Sequence, residues 1–188
     1  MFTTREDWLL AATDELRPVF EVKDLGLPAK IRLACGFTSA GRRGKVIGEC
    51  WSSSASVDAA TEILISPTLD DASRVLDVLV HELVHAAGIK GHGKAFGAAA
   101  AALGLVAAPK WTSTVAGPDW LSLYGPILQG LGPYPHGRLQ IADEKPKQGT
   151  RQLKAQCDAG CGFTIRLTAK WASIGMPSCH CGGTFRLV

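Results

Sequence analysis

The tightest constraint on this chain is an apolar helical stretch that carries ionisable side chains on its buried surface. Arg74 to Ala87 contains no Gly or Pro, and Val75, Leu76, Leu79, Val80, Leu83, Val84 and Ala87 recur at helical spacing over a wide apolar surface. Asp70 or Asp71 is placed to cap its start, and Gly88 to end it. Within it lies His81-Glu82-Leu83-Val84-His85, an H-E-x-x-H pattern. Two residues four apart on a helix differ by only about 40° in direction, so both imidazoles leave from one side. Burying such groups is costly unless a partner compensates them. A zinc ion is one such partner, because it takes two nitrogens at this spacing.

The turn Gly88-Ile89-Lys90-Gly91 leads directly to His92, which can fold back toward the first two histidines. The predicted ligand set is therefore His81, His85 and His92, with water in the fourth position of a catalytic zinc. Glu82, one step round the helix, can reach that water without ligating the metal, which gives it the general-base role. The bland alternative is a buried helix with hydrogen-bonded histidines. A metzincin would need its third histidine at position 91, which is Gly91, so that pattern misses by one residue.

A second cluster lies near the C-terminus. Cys157 and Cys161 are separated by three residues, and Cys179 and Cys181 by one. Neither pair has the common two-residue spacing, and His180 could stand in for one cysteine. Between the pairs, Phe163, Ile165 and Leu167 alternate with Thr164, Arg166 and Thr168, which predicts a strand, and residues 184–187 predict its return. So small a segment has little core, so a structural zinc held by four cysteines is expected, with a disulfide or free thiols as the alternatives. This makes two zinc ions per chain, one catalytic and one structural. Cys35 and Cys50 are expected to be buried, unpaired thiols.

Gly91-His92-Gly93-Lys94-Ala95-Phe96 resembles the G-H-G-x-x-F/W element of the SprT-like (Spartan-type) metalloproteases. Leu79 to Ala86 is similar to that family's core motif, and Ile47-Gly48-Glu49-Cys50-Trp51 and Glu62 to Ser66 to its two preceding strands. The cysteine-rich tail is similar to its zinc ribbon. The resemblance covers roughly residues 1–104 and 150–188, with a short spacing between His85 and His92. It implies an α+β fold, a zincin-like metalloprotease domain of helices packed on a small sheet, followed by a small zinc ribbon. It also implies a zinc-dependent endopeptidase that acts on DNA-bound or DNA-cross-linked proteins. The rival is a nucleic-acid-binding or transcription-associated zinc protein with a protease-like scaffold. Glu82 favours the enzyme, since a purely structural zinc has no use for it.

The 188 residues suit one core domain, 1–143, and a small basic module, 144–188. Residues 144–188 hold seven Lys or Arg and two acids, net +5; the rest holds thirteen basic and fifteen acidic residues, net −2. Arg166, Lys170 and Trp171 are the candidate nucleic-acid contacts, the cations for phosphate and the ring for stacking on a base of DNA with single-stranded character. The alternative is a solvated face with Trp171 closing the small core. No apolar run is long enough to span a membrane, and the N-terminus lacks a signal-peptide core, which predicts a cytoplasmic chain that is not secreted. DNA association is what the resemblance implies, and a monomer is the expected state.

Elsewhere, a helix is expected from Thr3 to Leu16, continuing past a break at Pro18, with strands over 31–34, 45–51 and 61–66 and a basic turn over 39–44. A helix over 93–103 turns Phe96, Ala99, Ala100 and Leu103 inward. Residues 106–150 are the least legible, with a short helix over 118–129, a rigid turn over 132–137 and a polar linker over 143–150. Tyr134 and His136, on the Pro-braced turn, are candidates to stabilise an oxyanion or contact substrate. Equally, that turn could simply pack between the two modules.

Overall fold

The computed structural model describes residues 2–41, 45–141 and 152–188. The tip of the basic turn, with Arg42 and Arg43, and the polar linker, with Lys145, Lys147 and Arg151, lie outside the described residues. The chain is a mixed α+β protein that divides into two compact units, residues 1–141 and 142–188. No helix among the described residues is long and apolar enough to cross a membrane.

The first unit opens with helix α1 (Arg5–Glu21), capped by Thr4, whose hydroxyl accepts the Asp7 N–H at 3.1 Å. Glu6 and Asp7 in its first turn suit the positive end of the helix dipole. The helix runs through Pro18 and does not stop there. Pro18 cannot bond the Asp14 carbonyl, but Asp14 is exposed and water can serve it, while continuing the helix buries Phe20 completely. Trp8, Leu9, Ala12 and Leu16 form the rest of the inward stripe.

Strands β1 (Ile31–Cys35), β2 (Gly48–Trp51) and β3 (Thr61–Ile65) form a sheet in the order β1-β3-β2. β3 runs parallel to β1 and antiparallel to β2, which leaves β2 at an edge. Thr61, Ile63 and Ile65 alternate inward, and outward-facing Glu62 pairs with Arg32 of β1. Helix α2 (Ala72–Ala86) starts at Asp71, whose carboxylate accepts the Arg74 N–H at 2.7 Å. It packs against β2 and β3 with Val75, Leu76, Leu79, Val80, Leu83 and Val84 fully buried. Helix α3 (Lys94–Ala102) follows, with Phe96 and Ala100 inward and Ala99 half-buried.

The part of the least legible stretch that follows α3 forms regular elements over residues 105–131. Strands β4 (Leu105–Ala107) and β5 (Thr114–Ala116) form a hairpin that packs on α2, and helix α4 (Trp120–Leu131) runs through Pro126. The Trp120 indole N–H donates to the Ser73 hydroxyl at 3.0 Å, and the Tyr124 hydroxyl donates to the Leu103 carbonyl at 2.9 Å. These two bonds tie α4 to the start of α2 and the end of α3.

The turn over 132–137 packs on α1. Tyr134 is buried edge-on against Trp8, with ring centroids 5.2 Å apart, and the Trp8 indole donates to the Gly132 carbonyl. Arg5 donates to the carbonyls of Pro135 and Gly137 at 3.2 and 2.7 Å.

The second unit is built on a sheet of order β7-β6-β8, from β6 (Gln152–Cys157), β7 (Thr164–Thr168) and β8 (Phe185–Leu187), with a short helix α5 (Ala169–Ile174). The predicted strand and return strand are present but not adjacent, because β6 lies between them and pairs with both. Its fully enclosed core is Ala155, Cys157, Cys179 and Phe185.

The Tyr134 hydroxyl is buried without a hydrogen-bond partner among the described residues. Removing an unsatisfied buried polar group is neutral or favourable. Tyr134→Phe is therefore expected to leave the unfolding free energy unchanged or raise it by about 1 kcal/mol, as read from denaturant melts. A comparable loss would mean that the hydroxyl does have a partner.

Candidate metal centres and active site

α2 delivers His81 and His85 from one side, and the turn after it delivers His92. Gly88, at φ +94°, takes a backbone conformation that a side chain would strain, and this lets the chain reverse at once. The three Nε2 atoms converge: His92 lies 3.1 Å from both His81 and His85. Tetrahedral zinc with bonds of about 2.0–2.1 Å would separate two nitrogen ligands by about 3.3–3.4 Å. Phe96 lies against all three rings, with centroids 4.7 to 4.8 Å away, nearly parallel to His85. The predicted G-H-G-x-x-F element thus places its aromatic residue beneath the histidine cluster.

The outer ring nitrogens are also occupied. His85 Nδ1 lies 2.8 Å from the Ile89 carbonyl. A carbonyl only accepts, so Nδ1 carries the proton and the lone pair is left on Nε2, facing the other histidines. His81 Nδ1 lies 2.8 Å from the Thr114 hydroxyl. Burial, then the neighbouring His85 and His92, holds His81 down to about 3. Burial and His85 also lower His92. Both remain neutral at ordinary pH, the form that binds metal.

Glu82 is buried in the same cavity, whose volume is about 1030 Å³ and whose walls are β2, α2 and the segment entering β5. Burial, then the charge of Glu49, pushes its carboxyl up to about 8. A divalent cation at the histidines would draw it back toward the carboxylate form. Glu82 fits only because residue 48 is glycine. A Cβ on Gly48 would collide with the Glu82 carboxylate and lie 2.7 Å from Val78 Cγ1. Cys50 also lines this cavity, and burial, then Glu82, pushes its thiol up to about 12. It stays protonated, in keeping with a packing role; Cys35 accepts from Arg5.

Neither Tyr134 nor His136 lines this cavity. Tyr134 is held by Trp8, and His136 Nε2 donates to the Thr3 carbonyl at 3.2 Å. The oxyanion expectation for this pair is corrected: the aromatic ring is apolar enough to be drawn into the α1 contact, and the turn follows it. Among the cavity residues that sequence does not assign to the site are Thr114, Gly48 and Arg74. Thr114 sits in a strand of three residues, too short to register as a period.

In the second unit all four predicted cysteines converge. Their Sγ atoms lie within 4.8 Å of one another, with Cys157–Cys181 at 3.4 Å and Cys161–Cys179 at 3.6 Å. A tetrahedral zinc–thiolate site with bonds of about 2.3 Å would place sulfurs about 3.8 Å apart, whereas a disulfide needs about 2.05 Å. Both donor sets therefore fit a metal ion, and His180 stays outside the four-sulfur set. The backbone N–H of Gly183, then the neighbouring thiols, draw Cys181 down to about 7.

Arg166, Lys170 and Trp171 are exposed around β7 and α5. The Lys170 ammonium lies 5.3 Å from the centre of the Trp171 ring. Trp171 is 57% exposed and does not close the small core, a role taken by Phe185 and the buried cysteines. With Arg166, Leu167, Ile174 and Met176 it lines a shallow groove of about 600 Å³.

No family model, no curated protein and no solved structure matches this chain.

Two independent donor sets could each hold one metal ion. Elemental analysis is expected to give two zinc ions per chain, falling to one in His92→Ala and one in Cys179→Ser, because each substitution removes a ligand. His136→Ala is expected to keep both. One zinc in the unaltered chain would remove one of the two sites.

Proposed function

We propose that this chain is a zinc-dependent endopeptidase of the SprT-like type, acting on proteins bound or cross-linked to DNA. The observation that carries this reading is the meeting, in one cavity, of three imidazoles with converging Nε2 atoms and the buried carboxyl of Glu82, on the helix that carries His81 and His85. A structural metal site would not require Glu82 to be buried beside it. β2 is an edge strand that lines the cavity, and its unpaired backbone groups suit an extended peptide.

A zinc ion held by His81, His85 and His92 would supply Lewis acidity toward water and a peptide carbonyl. Glu82 takes the proton of the water that adds to the carbonyl carbon and passes it to the nitrogen as the C–N bond breaks. Gly48 leaves the volume that this carboxylate occupies, and Val78 lines the cavity beside it. The four-cysteine centre in the second unit supports a folding role, because so small a core gains its stability from the metal.

Glu82→Gln keeps size and hydrogen bonding but cannot take a proton. It is expected to retain both zinc ions and thermal stability while proteolysis of a DNA-bound substrate protein falls by about 10²-fold or more. Unchanged cleavage would overturn the mechanism.

The DNA half of the proposal is supported by the net +5 of residues 144–188 and by the exposed Arg166, Lys170 and Trp171. Binding to single-stranded DNA is expected to weaken with added salt, as cations on the protein replace counterions on phosphate. Charge reversal at Arg166 and Lys170 is expected to weaken it about tenfold or more, since each lost phosphate contact removes part of that gain. Trp171→Ala is expected to impair single strands more than duplex, because duplex bases are already stacked. Equal affinities in titrations of all variants would leave the second unit as a protein-docking element.

A further inference from the structure

The outer nitrogen of His81 meets a side chain from a distant part of the chain. Thr114 is 33 residues from His81, and its hydroxyl lies 2.8 Å from His81 Nδ1. The contact is held from two sides. Arg74, Asp77 and His81 recur on one face of α2 at intervals of three and four. Arg74 donates to the Thr114 carbonyl at 3.0 Å and to the Asp77 carboxylate at 2.5 Å. Asp77 in turn accepts the Ala116 N–H at 3.3 Å. On its other side Thr114 pairs with Ala107 of β4. The backbone of Thr114 is thus fixed between helix and hairpin, and its β-branched side chain has few rotamers.

The chemistry of the ring gives this contact a consequence. A neutral imidazole carries one proton, on Nδ1 or on Nε2. His92 Nε2, 3.1 Å away, offers the Nε2 tautomer of His81 an acceptor, and a ring so protonated cannot ligate. The Thr114 hydroxyl can serve either tautomer, donating to a bare Nδ1 or accepting from Nδ1–H; a metal on Nε2 leaves only the second, in which the hydroxyl oxygen accepts. We propose that Thr114 is a positioning residue for the histidine centre, accepting the His81 Nδ1–H so that the Nε2 lone pair faces the metal. This rests on the reading of the three histidines as a metal site. It adds that a residue of the β4–β5 hairpin, outside the H-E-x-x-H segment, sets the affinity and geometry of that site.

The test uses the full chain and reads metal binding, not turnover. Thr114→Val keeps the shape and removes the oxygen, while Thr114→Ser keeps the oxygen and removes the methyl. Zinc affinity is measured by competition with a chromophoric chelator, with His92→Ala as the reference that isolates the histidine site. The visible spectrum of the cobalt-substituted protein reports ligand geometry at the same site. Thr114→Val is expected to weaken zinc about 10–100-fold and to shift the cobalt bands, with Thr114→Ser close to the unaltered chain on both readouts. Wild-type affinity and bands in Thr114→Val would overturn the proposal. So would a Thr114→Ser variant that fails as Thr114→Val does, since the methyl packing and not the oxygen would then matter. If His92→Ala binds as much zinc as the unaltered chain, the metal centre itself is refuted and the role of Thr114 falls with it.

Discussion

The first unit depends on the way α2 reconciles burial with charge. Leu76, Leu79, Val80 and Leu83 are sealed in the core, and His81 and Glu82 are carried inward with them. Desolvation acts oppositely on the two types of group. It holds His81 neutral, down to about 3, and makes Glu82 reluctant to ionise, up to about 8. A cation between the rings relieves both at once, taking the imidazole lone pairs and favouring the carboxylate. Much of what surrounds α2 serves that arrangement: Phe96 below the rings, the Ile89 and Thr114 oxygens behind them, and the bare backbone of Gly48 in front of Glu82.

How much could be read beforehand follows from the range of each interaction. The α2 cap at Asp71, the inward face of α3 and the three-histidine cluster are encoded within a few dozen contiguous residues, where helical period and turn chemistry speak directly. The four cysteines were legible from their two close pairs flanking an alternating strand, in a segment with too little apolar core to hold itself. The β4–β5 hairpin was not, since strands of three residues hold too little alternation to stand out. The expected helix over 118–129 has the length of α4 but lies two residues early; α4 runs from Trp120 to Leu131, anchored by Trp120 and Tyr124. β6 carried a readable signal in Leu153, Ala155 and Cys157 against Lys154 and Gln156, obscured by the polar stretch before it. Tyr134 misled because its type and its Pro-braced turn suggested chemistry, whereas its ring is drawn to Trp8.

The second unit solves a different problem. Among the described residues its enclosed core includes only Ala155 and Phe185 besides two cysteines, which is little apolar burial for a three-stranded sheet. The sulfur cluster occupies the place where a larger domain would put leucines. That frees exposed positions such as Trp171 and Ile174 from packing duty and leaves their apolar surface facing solvent.

The three histidines lie within twelve consecutive residues, 81–92, whereas Thr114 and Gly48 reach the site only when the chain is folded. The unfolded polypeptide therefore keeps the three imidazoles tethered close together and retains some chelating power of its own. A metal ion stabilises a fold only by the difference between its affinities for the folded and unfolded states. The protection that a metal bound here would give this unit against heat or denaturant would consequently be smaller than its affinity for the native protein implies.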